Sequence, residues 1–198
     1  HYCSRRQRQM CIRDSYIIDH EDSFTFNLAH LLGAYDTVQV SNFYEINKSQ
    51  LKKADMIVLS PGPGEPKNYP RTTKIYHEYK GKKKILGICL GFQQILFAEG
   101  GQIVQQKNIY HGYQSTINVL PKSYLYKHYK KLSVGRYHSL KLKEPFQSSS
   151  IDITMRCQKT NVAMALEDKK NKIFGFQFHP DSFLTKNGKS IIQKIVSA

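Results

Sequence analysis

Gly87-Ile88-Cys89-Leu90-Gly91 has the pattern that covalent attack on a carbonyl requires: a nucleophile between two glycines. The apolar run Lys84–Cys89 before it and the helical pattern Gln93–Glu99 after it predict a sharp strand-to-helix turn with the cysteine at its apex. The neighbours of such a residue must be small, because larger side chains would strike the adjoining elements. The following helix points its N-terminus at the sulfur and favours a thiolate. The N–H of the next residue, Leu90, can face an oxyanion. A cysteine ending an apolar strand is more often inert core. The two glycines, the strand and the helix together set Cys89 apart from that case.

A thiol nucleophile needs a base, and the base needs an orienting group. Phe176-Gln177-Phe178-His179-Pro180-Asp181 offers both. Pro180 holds His179 extended, and in an extended segment residues two apart share a side. Asp181 is therefore placed to fix the His179 tautomer and stabilise an imidazolium; the plainer alternative is a strand-end histidine followed by an exposed aspartate. His20, His30, His77 and His128 are expected on the surface or on helix faces. Ser60-Pro61-Gly62-Pro63-Gly64 ends a buried strand, with glycines that let N–H groups approach a ligand and prolines that stiffen the loop. It lacks the Lys-Ser/Thr of a phosphate loop, and a simple tight turn is its other reading.

These groups need a scaffold, and the punctuation is that of an α/β chain. Tyr16–Asp19, Thr37–Val40, Asp55–Ser60 and Lys84–Cys89 read as strands. Asp22 or Ser23 caps a helix with Phe24, Leu28, Leu31 and Leu32 on one face, and Gly33 stops it. Strands alternating with helices predict an open, mostly parallel sheet covered on both faces. In the second half Ser115–Leu120, Ser133–Leu142, Ile151–Cys157, Val162–Glu167 and Ile173–His179 read as strands with short connections, extending the core with antiparallel strands. Asn187–Val196 is a closing amphipathic helix.

The chain has 198 residues, 40% of them hydrophobic, which fits one well-buried domain and excludes a disordered protein. No apolar run approaches the ~20 residues of a membrane span. The four cysteines lack the spacing of a zinc site or a disulfide framework, and Cys89 in an apolar run fits a reducing cytoplasm. The net charge of +15 raises nucleic-acid binding as a possibility. Its distribution argues against it: Arg5, Arg6, Arg8 and Arg13 crowd one end, while lysines such as Lys82, Lys83 and Lys84 fall between elements as a solvated face. Residues 1–15 show neither a helical stripe nor strand alternation and lack the apolar centre of a signal peptide. They read as a leader foreign to the fold, with a short basic anchor as the alternative, and residues 16–198 as the domain.

Asp19–Leu28, the Ser60–Gly64 loop, the Cys89 turn, Arg136-Tyr137-His138-Ser139-Leu140 and Gln177–Ser182 occur in an order that resembles the class I glutamine amidotransferases. The resemblance covers Tyr16 to about Val196 and is greatest to the glutaminase subunit (component II) of anthranilate synthase and aminodeoxychorismate synthase. It implies a flavodoxin-like fold and attack by Cys89 on the side-chain amide of L-glutamine. His179 would act as acid and base with Asp181 behind it, and water would hydrolyse the thioester. The N–H groups of Leu90 and of the Gly62, Pro63, Gly64 loop would hold the oxyanion. Gln93 would contact the substrate, and the Ser139-Leu140 backbone its amino-acid end. The resemblance implies no cofactor and no metal. Ammonia would pass to a chorismate-binding synthase, expected as a separate chain because nothing of that size follows Ala198. Two departures stand out: the family usually has Glu where this chain has Asp181, and His or Met where it has Phe92. Rival readings are the glutaminase of another amidotransferase and a regulatory subunit whose triad has decayed.

Overall fold

Strands buried on both faces read as continuous apolar runs and form only where helices cover each side. The computed structural model describes residues 13–198. Its strands β1 (Asp14–Asp19), β2 (Thr37–Asn42), β3 (Met56–Leu59), β4 (Lys84–Ile88) and β11 (Ile173–Phe176) make a parallel block in the order β2-β1-β3-β4-β11. The block is covered by helices α1 (Thr25–Gly33), α2 (Lys48–Lys53), α3 (Pro70–Tyr79), α4 (Leu90–Ala98) and α5 (Gly188–Ser197). Alternation along the strands divides the core. Ile17, Val58, Leu86, Phe174 and Phe176 meet Leu28 and Leu32 of α1 and Ile191 and Ile195 of α5. Tyr16, Ile18, Ile57, Leu59 and Ile85 meet Ile75 and Tyr79 of α3 and Phe92, Ile95 and Leu96 of α4.

Beyond β11 the sheet turns antiparallel through β10 (Ala163–Asp168), β9 (Asp152–Cys157), β6 (Tyr113–Val119) and β7 (Lys131–Arg136), reaching nine strands. This is the expected extension, with one correction. Ser133–Leu142 is not one strand, because β7 ends at Arg136 and β8 (Leu140–Leu142) pairs with β5 (Ile103–Gln105) in a separate small sheet. The break lets Tyr137, His138 and Ser139 leave the sheet plane. Likewise β11 stops at Phe176, and His179 follows it as an isolated bridge to Gly135.

The proposed leader boundary also moves. Ser15 is buried, pairs with Val38 and donates its hydroxyl proton to Asp36, so β1 begins two residues before Tyr16, at Asp14. Arg13 donates to the Val196 carbonyl near the end of α5. Residues 1–12, the rest of the expected leader, lie outside the described residues. The lysines also differ from a purely solvated face. Lys84 is half-buried and donates to the carbonyls of Ile195 and Val196, and burial pushes its ammonium down to about 8. Lys83 donates to the carbonyls of Lys52 and Ala54. Among the described residues no helix is long and apolar enough to cross a membrane.

A chain beginning at Tyr16 is expected to be less stable than one beginning at Arg13, by about 3 kcal/mol or a Tm roughly 10 °C lower. It loses the Ser15–Asp36 bond and the first two register pairs of β1 with β2. Paired thermal melts of the two chains measure the difference.

Candidate active site

Ligand sites in open α/β sheets lie outside the carboxyl ends of the parallel strands. Here β1 delivers Asp19–Ser23 to that edge, β3 delivers Ser60–Gly64, and β4 delivers Cys89. Glu21, Asp22, Ser23, the Gly62–Gly64 loop, Cys89, Leu90, Gln93, Tyr137, His138, Ser139 and Leu140 line one cavity of about 440 Å³. Every expected substrate-binding residue is on its wall.

Cys89 sits at φ 52 and ψ −99 as the N-cap of α4. A non-glycine residue there is strained by roughly 1–3 kcal/mol and persists only where its surroundings hold it. Its N–H donates to the Phe176 carbonyl at 2.8 Å, and its own carbonyl accepts from the Gln93 N–H at 3.1 Å. The flanking glycines are required by contact. A Cβ on Gly91 would lie 2.1 Å from the Leu59 carbonyl oxygen, and one on Gly87 would lie 2.4 Å from the Gly91 oxygen. The helix starts at Leu90, a turn before the expected Gln93, so the Leu90 N–H has no partner within the helix, and Leu90 lines the cavity beside Cys89.

His179 is set by the antiparallel half of the sheet. Its N–H donates to the Gly135 carbonyl at 3.1 Å, and its carbonyl accepts from the Thr185 hydroxyl at 2.6 Å. Phe24 and Tyr137 flank the ring edge-on, with centroids 4.9 and 5.0 Å away. Asp181 lies on the side that the extended His-Pro-Asp segment predicts, its side chain fully buried. Its carboxylate is 3.7 Å from His179 Nδ1, an ion-pair separation beyond hydrogen-bonding range. Both ring nitrogens and both carboxylate oxygens lack hydrogen-bond partners among the described residues. Burial works against a proton on His179, but the Asp181 carboxylate and the nearby Cys89 sulfur outweigh it and raise the imidazole well above its usual range. A thiol on a strained turn, beside an imidazole backed by a carboxylate, can attack a carbonyl and shuttle the proton.

Three contributions escape a reading of the chain alone. Gln177 Nε2 lies 3.7 Å from Cys89 Sγ, and its amide oxygen accepts from Gln93 Nε2 at 3.0 Å, tying the cavity wall at Gln93 to Cys89. Its place two residues before His179 was the available signal. Arg136 and His138 are both buried, His138 on the cavity wall, and Arg136 Nε donates to His138 Nε2 at 3.0 Å. His20, expected at the surface, is fully buried. Its ring bridges the Ser60 and Thr72 hydroxyls at 3.2 and 3.0 Å, and a Cβ on Gly62 would meet its Cβ at 2.5 Å. His20 therefore supports the Ser60–Gly64 loop from beneath. His30, His77 and His128 are exposed, as expected. Among the described residues no group of three or more His, Cys, Asp or Glu side chains is arranged to hold a metal ion.

Burial drives the His20 imidazole down to about 4 from 6.5, against the opposing effects of Ser60 and Asp19. Between these values the unfolded chain takes up a proton that the folded chain refuses. Stability is then complete above pH 6.5 and falls as pH drops towards 4, by up to about 3 kcal/mol from this residue. His20→Gln should flatten that loss, as urea denaturation of both proteins at pH 7 and pH 4.5 would measure.

The chain matches the family described as Glutamine amidotransferase class-I over residues 16–198. It is 35% identical over 183 residues to anthranilate synthase component 2 of Lactococcus lactis, covering 91% of this chain and 92% of that one. It is 33% identical over 193 residues to the protein of the same name from Helicobacter pylori, covering 91% and 95%. A structure from Thermoplasma acidophilum, described as that of a GMP synthase subunit, shares the fold, with a TM-score of 0.82 at 20% identity over 94% of this chain and 93% of that one. A Thermotoga maritima glutamine amidotransferase structure does so at 0.71, with 16% identity over 94% and 99%. Matched by that family over residues 16–198 and by these relatives over nine-tenths of its length, the chain belongs to the class I glutamine amidotransferases.

Proposed function

We propose that this chain is the glutaminase subunit of an anthranilate synthase, releasing ammonia from L-glutamine for a chorismate-using partner subunit. The observation that carries the reading is Cys89, held at positive φ on the wall of a cavity that also presents the Gly62–Gly64 loop and Gln93. Cys89 Sγ attacks the glutamine side-chain carbonyl as His179 accepts the thiol proton. The N–H groups of Leu90 and of the Gly62–Gly64 loop face the tetrahedral oxyanion. His179 returns its proton to the departing ammonia, leaving a glutamyl thioester on Cys89. Water, activated by the same imidazole, cleaves the thioester to glutamate and restores the thiol. Gln93 contacts the substrate, and the Ser139-Leu140 backbone receives its amino-acid end. The two relatives named anthranilate synthase component 2 support the anthranilate branch over aminodeoxychorismate.

The 3.7 Å His179–Asp181 separation favours a second reading, a subunit whose glutaminase is weak until its partner docks. Asp is one methylene shorter than the Glu usual in the family, and a misplacement of ~1 Å costs on the order of 100-fold in rate.

Cys89→Ser is expected to abolish glutamine-dependent synthesis by the complex while ammonia-dependent synthesis continues, because the sulfur serves only to release ammonia. Both rates are read in one assay with glutamine or an ammonium salt; retained glutamine-dependent activity would overturn the nucleophile assignment. Asp181→Glu should raise the free subunit's glutaminase rate more than that of the complex. Asp181→Ala should lower both, as the imidazolium loses its counter-charge. Steady-state kinetics with and without the partner separate the cases, and equal rates for wild type and Asp181→Ala in the complex would remove Asp181 from the mechanism.

A further inference from the structure

Arg136 is fully buried, yet among the described residues no carboxylate lies within ion-pair distance of it. A buried cation without a counter-charge is costly, so its other contacts matter. Nε donates to His138 Nε2, Nη1 lies 3.4 Å from Cys157 Sγ, and the guanidinium stacks 3.6 Å above the Tyr110 ring. Nη2 is buried and has no hydrogen-bond partner among the described residues. Of these neighbours, Cys157 is the one that readily supplies a negative charge.

Burial pushes the Cys157 thiol up, but the groups of the Lys159-Thr160 turn and the Arg136 charge outweigh it and hold it below the ordinary thiol range. Cys157 and Arg136 line one open cavity of about 770 Å³, together with Lys159, Gln158, Gln114 and Tyr110. The cavity is separate from the one bearing Cys89. Its wall therefore brings together a sulfur, a guanidinium 3.4 Å from it and a lysine, the first two almost fully buried at 3% and 0% exposure.

We propose that Cys157 is a second reactive thiol and a modification site for small disulfides that carry a carboxylate. Arg136 Nη2 and Lys159 hold the carboxylate while the Cys157 thiolate attacks the nearer disulfide sulfur. The S–S bond of the reagent breaks and a mixed disulfide forms on Cys157. The other half leaves as a thiolate and takes a proton from water. Cys157 is oxidised, the leaving half is reduced, and no other oxidant is needed. The reagent's carboxylate then replaces the lost thiolate as the counter-charge of Arg136. Hydrogen bonds link the site to the wall of the Cys89 cavity, because His138 accepts from Arg136 through Nε2 and donates through Nδ1 to the Leu140 carbonyl at 2.8 Å.

The test uses the full chain carrying Cys3→Ser, Cys11→Ser and Cys89→Ser, so that Cys157 is the remaining thiol. Labelling of the folded protein by dithiobis(nitrobenzoic acid), which carries carboxylates, is compared with labelling by the neutral dithiodipyridine. Each rate is normalised to free cysteine. The expected ratio favours the anionic reagent roughly tenfold, the effect of one charge-assisted hydrogen bond. Arg136→Gln should abolish the preference and Lys159→Gln should reduce it, with melting curves confirming that both variants are folded. Lys159→Gln keeps the test open if Arg136→Gln does not fold. Labelling only after denaturation would make Cys157 an inert core thiol, and equal normalised rates for the two reagents would remove the carboxylate hold. Neither result depends on glutaminase activity.

Discussion

Residue 89 has a backbone conformation that an L-residue keeps only under constraint, and much of the site follows from what imposes it. The end of β4 is clamped on one side by the Phe176 carbonyl of β11 and on the other by the Leu59 carbonyl of β3 against Gly91. The chain can leave the strand only by turning at once into α4. That turn lifts the sulfur out of the sheet edge and points the helix N-terminus at it. Strain of this size would relax if the neighbouring strands were looser. The parallel order β3-β4-β11, with apolar helices packed on both faces, is thus part of the chemistry as well as of the stability.

Three buried histidines show how the same side chain is driven in opposite directions. His20 and His138 are desolvated, and what opposes burial, Ser60 and Asp19 for His20 and the Leu140 carbonyl for His138, is too weak to offset it; His138 also faces the Arg136 charge, and both are pushed down, to about 4 and about 3. They act as neutral struts with tautomers set by their partners. His179 is as deeply buried, but Asp181 and Cys89 lie against it and it is raised. The difference comes from one carboxylate two residues along the same segment and one sulfur brought in by tertiary structure.

The antiparallel half of the sheet is more than an extension of the core. Through Gly135 it anchors the His179 backbone, and where β7 breaks it sends Tyr137, His138 and Ser139 to the cavity wall. Arg136, at the end of the same strand, joins that wall to Cys157 on β9. Packing the two halves into one sheet therefore makes the cavity wall and the Cys157 thiol neighbours of a common buried cation.

Residue order alone determined much of this protein. Apolar runs alternating with helical stripes marked the parallel block, because burial on both faces leaves a plain signature. The glycines around Cys89 marked the turn, since steric exclusion there acts within five residues. His179 and Asp181 were found from local extended geometry, which placed them on one side but did not fix their 3.7 Å separation. Other features depended on contacts distant along the chain. His20 reads as a surface residue until Ser60, Thr72 and Tyr69 close around it. Ser15 reads as leader until Asp36 and β2 pair with it. The surroundings of Arg136 are not read from its own segment, because Tyr110 and Cys157 arrive from two distant segments to join His138 beside it. Local sterics and periodicity are written into short stretches of chain, whereas burial and electrostatic environment are set by segments that meet only in the folded molecule.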